Sequence, residues 1–385
     1  MALEKDVFMN TYHRLPVVFT HGQGVYLFGA DGKRYLDFTS GIAVNCLGYN
    51  YPPLVKAVAE QAEKLIHASN YFQSDTSVAF AERLVSAAGM TKVFFGNSGA
   101  EANEGACKIA RKYSLMKYGA GRHTIVTLKG SFHGRTITML SATGQDKFHK
   151  DFGPFTEGFR YIPCGDIEAL DRALDGSAAG LLIEAVQGEN GVVPQTRAFM
   201  SAAARLCAER DILLMFDEIQ CGMGRTGSFL AATGYGVKPD VITLAKGLAG
   251  GVPVGAVLAG GKSADVLDVG DHGSTFGGNP LAAAAGLVVL ETVDNQAFLK
   301  EIARKGEKIT TAIRAWNCPS IKEVRGKGLM IGVDVAGDAW DIMTACLKRG
   351  LLVLSAGQNT LRFLPPYVIT DAEIDAGLAV LRECL

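Results

Sequence analysis

The feature that most constrains this chain is a series of short segments that are apolar throughout. KVFFG (92–96), TIVTL (124–128), GLLIEAV (180–186), ILLMFDEI (212–219) and VITLA (241–245) carry almost no polar alternation. A strand apolar on both faces must be covered on both, which suits a parallel sheet between helical layers. Helical stretches separate these segments, among them 100–118 and 197–209. Such alternation argues for an open α/β sheet, whose ligands sit beyond the carboxyl ends of its strands. After a long helix at 278–293 the pattern changes: a charged helix (297–316), IKEVRGKGLMIGVDV, a helix at 339–349, LLVLS, LRFLPP and a helix from Asp371 make a smaller α+β unit. Residues 17–38 read as a hairpin region with turn signals at His21–Gly24 and Ala30–Lys33. The expected division is an N-terminal segment (1–45) packing with the small domain, a large domain (46–281) and a C-terminal small domain (282–385).

Net charge excludes some partners. A formal charge of −1 over 385 residues gives no electrostatic case for nucleic acid or an anionic membrane. No apolar run reaches the ~20 residues of a membrane span. The start, MALEKDVFMN, lacks the basic and apolar regions of a signal peptide, and Glu4 and Asp6 argue against a mitochondrial presequence. A cytoplasmic location is expected. Eight cysteines without a C-x-x-C pair and seven histidines without H-x-x-x-H spacing predict neither disulfides nor a metal.

Lys246 follows the apolar run DVITLA and opens the glycine-rich LAKGLAGG. Desolvation lowers an ammonium pKa and makes the amine a nucleophile, although a lysine capping an ordinary turn would read the same way. Five further stretches follow strands or precede helices. Asn97-Ser98-Gly99-Ala100-Glu101 is either an N-cap or a phosphate site made of helix-terminal amides, and it is not a P-loop. Gly130–Thr136 offers Phe132 to a flat ring and Arg135 to a carboxylate. His133 in that stretch has no evident partner and reads as structural. Phe216–Gln220 ends a fully apolar strand with Asp217 and Glu218, and a carboxylate buried there needs a cation or several donors. Glu184–Gly191 (EAVQGENG) follows another strand, and His272–Pro280 (HGSTFGGNP) sets hydroxyls ahead of a helix. Helix-terminal amides for phosphate, an aromatic for a ring face, a carboxylate for a ring nitrogen and a lysine for an aldehyde together match pyridoxal 5'-phosphate. A cofactor-free Schiff-base aldolase or lyase would use the lysine alone.

NSGAEANE, GSFHGRT, FDEIQCGMGRTG, LAKGLAGGVPVGA and HGSTFGGNPLA resemble the class III (ornithine-type) pyridoxal-phosphate aminotransferases over nearly the whole chain. The resemblance implies a fold-type-I transferase, with a mostly parallel sheet in the large domain and a smaller α+β domain. It implies a homodimer with shared active sites. Lys246 would bond the cofactor aldehyde and shuttle the substrate proton. Asp217 would hold the ring nitrogen protonated, Gln220 would bond the phenolic oxygen and Phe132 would stack on the ring. Ser98, Gly99 and Ala100 would form the phosphate site, joined by Thr275 of the neighbouring subunit. Many relatives carry threonine at the position of Ala100, so one hydroxyl contact is missing. Arg135 would take a substrate carboxylate, Ser274 would lie near the substrate, and Arg362 would bind the α-carboxylate of glutamate. Glu189 would neutralise Arg362 when the other substrate is bound.

The compact length and the stretch SGIAVNCLGY most resemble members acting on N2-acetylornithine with 2-oxoglutarate in arginine biosynthesis. Ile42 stands near the place where enzymes of free ornithine carry a tyrosine. Succinylornithine, free ornithine and 4-aminobutyrate are the alternatives within the class.

Overall fold

The computed structural model describes residues 7–385; Glu4, Asp6 and the rest of the first six residues lie outside the described residues. An N-terminal meander comprises β1 (Phe19–Gln23), β2 (Tyr26–Gly29) and β3 (Arg34–Asp37). Then come β4 (Lys92–Gly96), β5 (Thr124–Leu128), β6 (Phe159–Ile162) and β7 (Ala178–Ile183). The two-residue strands β8 (Val186–Gln187) and β9 (Val193–Pro194) form a hairpin, followed by β10 (Leu213–Asp217), β11 (Val241–Leu244) and β12 (Gly255–Ala259). The C-terminal strands are β13 (Ile321–Lys327), β14 (Met330–Val335), β15 (Leu351–Leu352), β16 (Leu354–Ala356) and β17 (Thr360–Phe363).

The central sheet has seven strands in the order β4-β12-β11-β10-β7-β5-β6. Only β12 runs against its neighbours, pairing antiparallel with both β11 and β4. The apolar runs are explained by coverage on both faces. Ile125, Leu182, Leu213 and Met215 pack with Ala106, Ile109 and Ala110 of the helix Gly99–Tyr118. Their alternates Val126, Leu181, Leu214 and Phe216 pack with Phe199, Met200 and Ala203 of the helix Arg197–Glu209. Two strands escape sequence reading: β6 is four residues long with an exposed tyrosine, and β12 (GAVLA) follows a glycine-rich turn. The run 180–186 is also broken, because β7 ends at Ile183 and the chain turns at Glu184 before the β8 hairpin.

A second sheet, β13-β14-β17-β16, is antiparallel. The N-terminal meander is extended by β15, which pairs in parallel with β3 through Leu351↔Leu36 and Leu352↔Asp37. Phe38, Phe363, Leu381 and the helix Pro280–Val293 share one core with Ile242 and Leu244 of the central sheet.

Candidate active site

The carboxyl ends of β4, β5, β7, β10 and β11 converge on a cavity of about 440 Å³. Lys246 lines it immediately beyond β11, with a left-handed φ of +46° at the start of a short turn, Lys246–Ala249. That conformation costs a non-glycine residue roughly 1–2 kcal/mol, the kind of strain that persists where a side chain must be aimed. Burial pulls its ammonium pKa below the ordinary value; Arg362 acts in the same direction, and Glu189, Asp217 and Glu184 oppose it.

Asp217 ends β10 and is 3% exposed. Its Oδ2 accepts from Asn103 Nδ2 at 2.9 Å and from His133 Nδ1 at 2.8 Å, and its Oδ1 accepts from the Ile219 amide at 3.0 Å. Thr243 donates its hydroxyl to Asn103 Oδ1 at 2.7 Å, which fixes the amide so that its two hydrogens meet Asp217 and the His133 carbonyl. A carboxylate partner requires His133 to carry its proton on Nδ1; Nε2 is buried without a partner. The sequence reading of His133 as a residue without a partner is therefore corrected. Its partner is Asp217, 84 residues away, which no local motif could reveal.

Glu184 is a second residue whose position had no assigned role. It lines the cavity where β7 stops, accepting from the amides of Phe132 (3.2 Å) and Gly188 (3.4 Å). Burial, reinforced by Asp217, holds its carboxyl well above the usual carboxylate range.

The remaining expected residues fall into three groups. Ser98, Gly99, Ala100, Phe132, Arg135 and Gln220 line the same cavity as Lys246 and Asp217. Ser98 caps the helix Gly99–Tyr118 by accepting from the Glu101 amide at 3.3 Å; the next amides, of Gly99 and Ala100, belong to the helix-start donors that lack intrahelical partners. The Arg135 guanidinium lies 4.0 Å from the Phe148 ring centroid and 5.5 Å from that of Phe132.

Glu189 and Arg362 meet at the edge, joined to the cavity through Gln220. Glu189 Oε1 accepts from Arg362 Nη1 at 2.6 Å and from Gln220 Nε2 at 3.3 Å, and Arg362 Nη1 also donates to Gln220 Oε1 at 3.1 Å. Burial alone would raise the Glu189 carboxyl, but Arg362, with Lys246 and Gln220, outweighs it and brings the pKa down to about 2.

Ser274 and Thr275 stand apart from the lining. Ser274 Oγ accepts from Asn97 Nδ2 at 3.1 Å, while Thr275 is exposed. Ile42 is 39% exposed at φ +67° in a left-handed turn that includes Ser40, Gly41 and Ala43, and Val44 rather than Ile42 lines the cavity. Among the described residues, no group of three or more His, Cys, Asp or Glu side chains is placed to hold a metal, and no helix is long and apolar enough to cross a membrane.

The family model described as aminotransferase class-III matches residues 7–385. An acetylornithine aminotransferase of Caldanaerobacter subterraneus subsp. tengcongensis is 46% identical over 388 residues, covering 100% of this chain and 98% of the relative. An ornithine aminotransferase of Toxoplasma gondii, solved with partial occupancy of PLP at its active site, superposes with a TM-score of 0.94 at 34% identity, covering 98% of this chain and 92% of that one. An N-acetylornithine aminotransferase of Stenotrophomonas maltophilia gives 0.86 at 39% identity, covering 97% and 96%.

Proposed function

We propose, from the premise that this chain belongs to the class-III aminotransferases, that it transfers the distal amino group of N2-acetyl-L-ornithine to 2-oxoglutarate. The products are N-acetyl-L-glutamate 5-semialdehyde and L-glutamate, a step of arginine biosynthesis. The observation that carries the reaction type is Lys246, pKa lowered, beside the buried Asp217 at the ends of adjacent strands. Support for the substrate is the 46% identity to an acetylornithine aminotransferase over the whole chain.

Pyridoxal phosphate is the group this reaction needs, and the cavity's own residues fit it. The start of the helix Gly99–Tyr118 offers amides for a phosphate, Phe132 offers a ring face, and Asp217 has its outer contacts satisfied by His133, Asn103 and Ile219 while still lining the cavity. When bound, it supplies an aldehyde for amine exchange and an electron-withdrawing ring. Asp217 would hold the proton at the ring nitrogen, and Gln220 would hydrogen-bond the phenolic oxygen. Lys246, its pKa lowered by burial, would hold the aldehyde covalently, and its amine would take and return the substrate proton. Arg135 binds the carboxylate of acetylornithine and then the distal carboxylate of 2-oxoglutarate. Arg362 binds the α-carboxylate of glutamate once Glu189 withdraws, and Ser274, outside this chain's own lining, would come close to the bound substrate only in the dimer.

A homodimer completes the site in this reading. Tyr71, Phe72 and Phe276 are 95%, 74% and 59% exposed. Phe276 belongs to the Ser274–Gly277 loop, and Tyr71 and Phe72 follow Asn70, whose Nδ2 ties that loop down through the carbonyls of Ser274 (2.9 Å) and Gly277 (3.0 Å). A second copy covering these apolar groups would bring Thr275 to the phosphate end of its partner's cavity. We assign the domain division at 45/46 and 281/282 and a cytoplasmic location on the same footing.

Free ornithine as donor is the second reading, favoured by the TM-score of 0.94 to an ornithine aminotransferase. Steady-state kcat/KM of the holoenzyme with acetylated ornithine, succinylated ornithine, free ornithine and 4-aminobutyrate separates them. A preference for free ornithine would overturn the proposed substrate, and a protein whose visible absorbance ignores every amine would overturn the reaction.

A further inference from the structure

Glu189 and Arg362 lie 173 residues apart in sequence, on different sheets. Glu189 sits in the turn between β8 and β9, and Arg362 lies on β17. Across the C-terminal sheet, Arg325 pairs with Gly332 and Gly332 pairs with Arg362, so the three form one row over β13, β14 and β17. Directly opposed residues of adjacent strands share a face. The row is thus two arginines flanking a residue without a side chain.

The turn of Glu189 is seated over that gap. A Cβ on Gly332 would stand 2.8 Å from the carbonyl oxygen of Gly191, and one on Gly191 would stand 2.7 Å from Thr360 Oγ1. Arg325 grips the backbone of the turn: Nη2 donates to the Gly191 carbonyl at 2.7 Å, and Nε donates to the same carbonyl at 3.0 Å and to that of Val192 at 3.1 Å. Its fork is anchored from behind by Asp334, which accepts from Nη1 at 2.6 Å and from Nη2 at 2.8 Å, with Glu323 accepting from Nη1 at 2.9 Å. On the other side of Glu189, the Gly357 amide donates to the Glu189 carbonyl at 3.0 Å.

We propose that Arg325 is a positioning residue for the Glu189–Arg362 pair, fastening the Glu189 turn to the sheet that carries Arg362. Both members of the pair then ride on one unit, and the pair opens by rotation of the Glu189 side chain, not by the turn leaving β17. This rests on the reading of that pair as the element that adapts the site to two substrates. Arg325 touches no lining residue of the cavity and acts only through the turn. A lysine could not replace it, because one ammonium cannot reach both carbonyls and the two oxygens of Asp334.

The test compares single-turnover rates of the holoenzyme with N2-acetylornithine and with glutamate, in the wild type, Glu189→Ala, Arg325→Lys, Arg325→Ala and Glu189→Ala/Arg325→Ala. Hydrogen exchange of the amides of 188–192 is measured on the same proteins without substrate. Arg325→Ala should lower the acetylornithine-to-glutamate rate ratio by about 5- to 10-fold and accelerate exchange in the turn by at least about 10-fold. Arg325→Lys, the milder change should the alanine variant not fold, should shift both in the same direction. On the Glu189→Ala background, Arg325→Ala should leave the ratio unchanged within about 2-fold, because the side chain it positions is gone. An unchanged ratio in both Arg325 variants, or an equal drop with and without Glu189, overturns the inference while leaving the aminotransferase reading intact. If Glu189→Ala alone leaves the ratio unchanged, the pair is no switch and the inference falls with it. A wild type that transaminates neither substrate overturns the functional reading itself.

Discussion

The site has two walls built differently, the cavity itself and the ion pair at its edge. The wall holding Lys246, Asp217, Phe132 and the helix start at Ser98 comes from the ends of strands in one seven-stranded sheet, each residue within a few positions of a strand end. The wall holding Arg362 and Glu189 is a junction, with the arginine on an antiparallel C-terminal sheet and the glutamate on a hairpin turn clamped to it. Groups that must act identically in every turnover gain from rigid supports. Groups that must accept two different substrates in turn gain from a joint where one ion pair can open. On this view, damage to the first wall stops the reaction, and damage to the second changes which substrate it favours.

Lys246→Ala is the largest expected effect. Transamination should fall by about 10³-fold or more, with the cofactor retained without its covalent bond, as read from absorbance and steady-state rates. Turnover within 10-fold of wild type would break the assignment of the first wall. Asp217→Ala should lower kcat by about 10²-fold. It also strands the donors of His133 and Asn103 in a buried site, at about 1–3 kcal/mol each in chemical unfolding. An Asp217 variant as stable as wild type would show that water replaces the lost acceptor.

The same contrast decides what could be read in the sequence. The central sheet was legible because strands apolar on both faces have few alternatives, and Lys246, Asp217 and Phe132 were legible because each follows such a strand closely. β12 was not, since the small side chains of GAVLA after a glycine-rich turn do not signal burial. The partner of His133 was not legible because it is distant in the chain. Arg362 and Glu189 entered only through family resemblance; nothing in LRFLPP or QGEN locally indicates that one faces the other. Ile42 sits in a left-handed turn, and Val44, not Ile42, lines this chain's own cavity.

Within the second wall, Glu189→Ala should slow the acetylornithine half-reaction by about 10-fold or more relative to the glutamate half-reaction, because a buried Arg362 is left unpaired when no α-carboxylate reaches it. Equal losses would mean the ion pair is a fixed strut. His133 sharpens the first wall by contrast. His133→Ala should reduce kcat by about 10-fold with little change in KM, and should move the pH midpoint of the holoenzyme's visible absorbance upward, since a looser Asp217 holds the ring-nitrogen proton less well. His133→Asn, whose amide can reproduce the Nδ1–H donor, should restore most of both. An alanine and an asparagine variant with the same defect would reduce His133 to a packing role.

The smallest expected effect concerns acid. The Glu189 carboxyl has its pKa depressed from the ordinary 4.5 to about 2 in the folded chain, so between those values the unfolded chain binds the proton that the folded chain refuses. The stabilisation is therefore fully present above pH 4.5 and is lost as pH falls through about 2. Comparing wild type with Glu189→Gln isolates it. Glu218, pushed up to about 7 by burial, carries a slope of opposite sign between its ordinary value and 7, but both proteins share that slope and it cancels in the difference. At pH 6 the wild type should be more stable by on the order of 2–3 kcal/mol in urea unfolding, and the gap should narrow steadily below pH 4.5. A gap that does not change with pH would mean that Arg362 is satisfied as well by a neutral amide. The junction would then be held by the Arg325 clamp alone, with the ion pair adding selectivity and no stability.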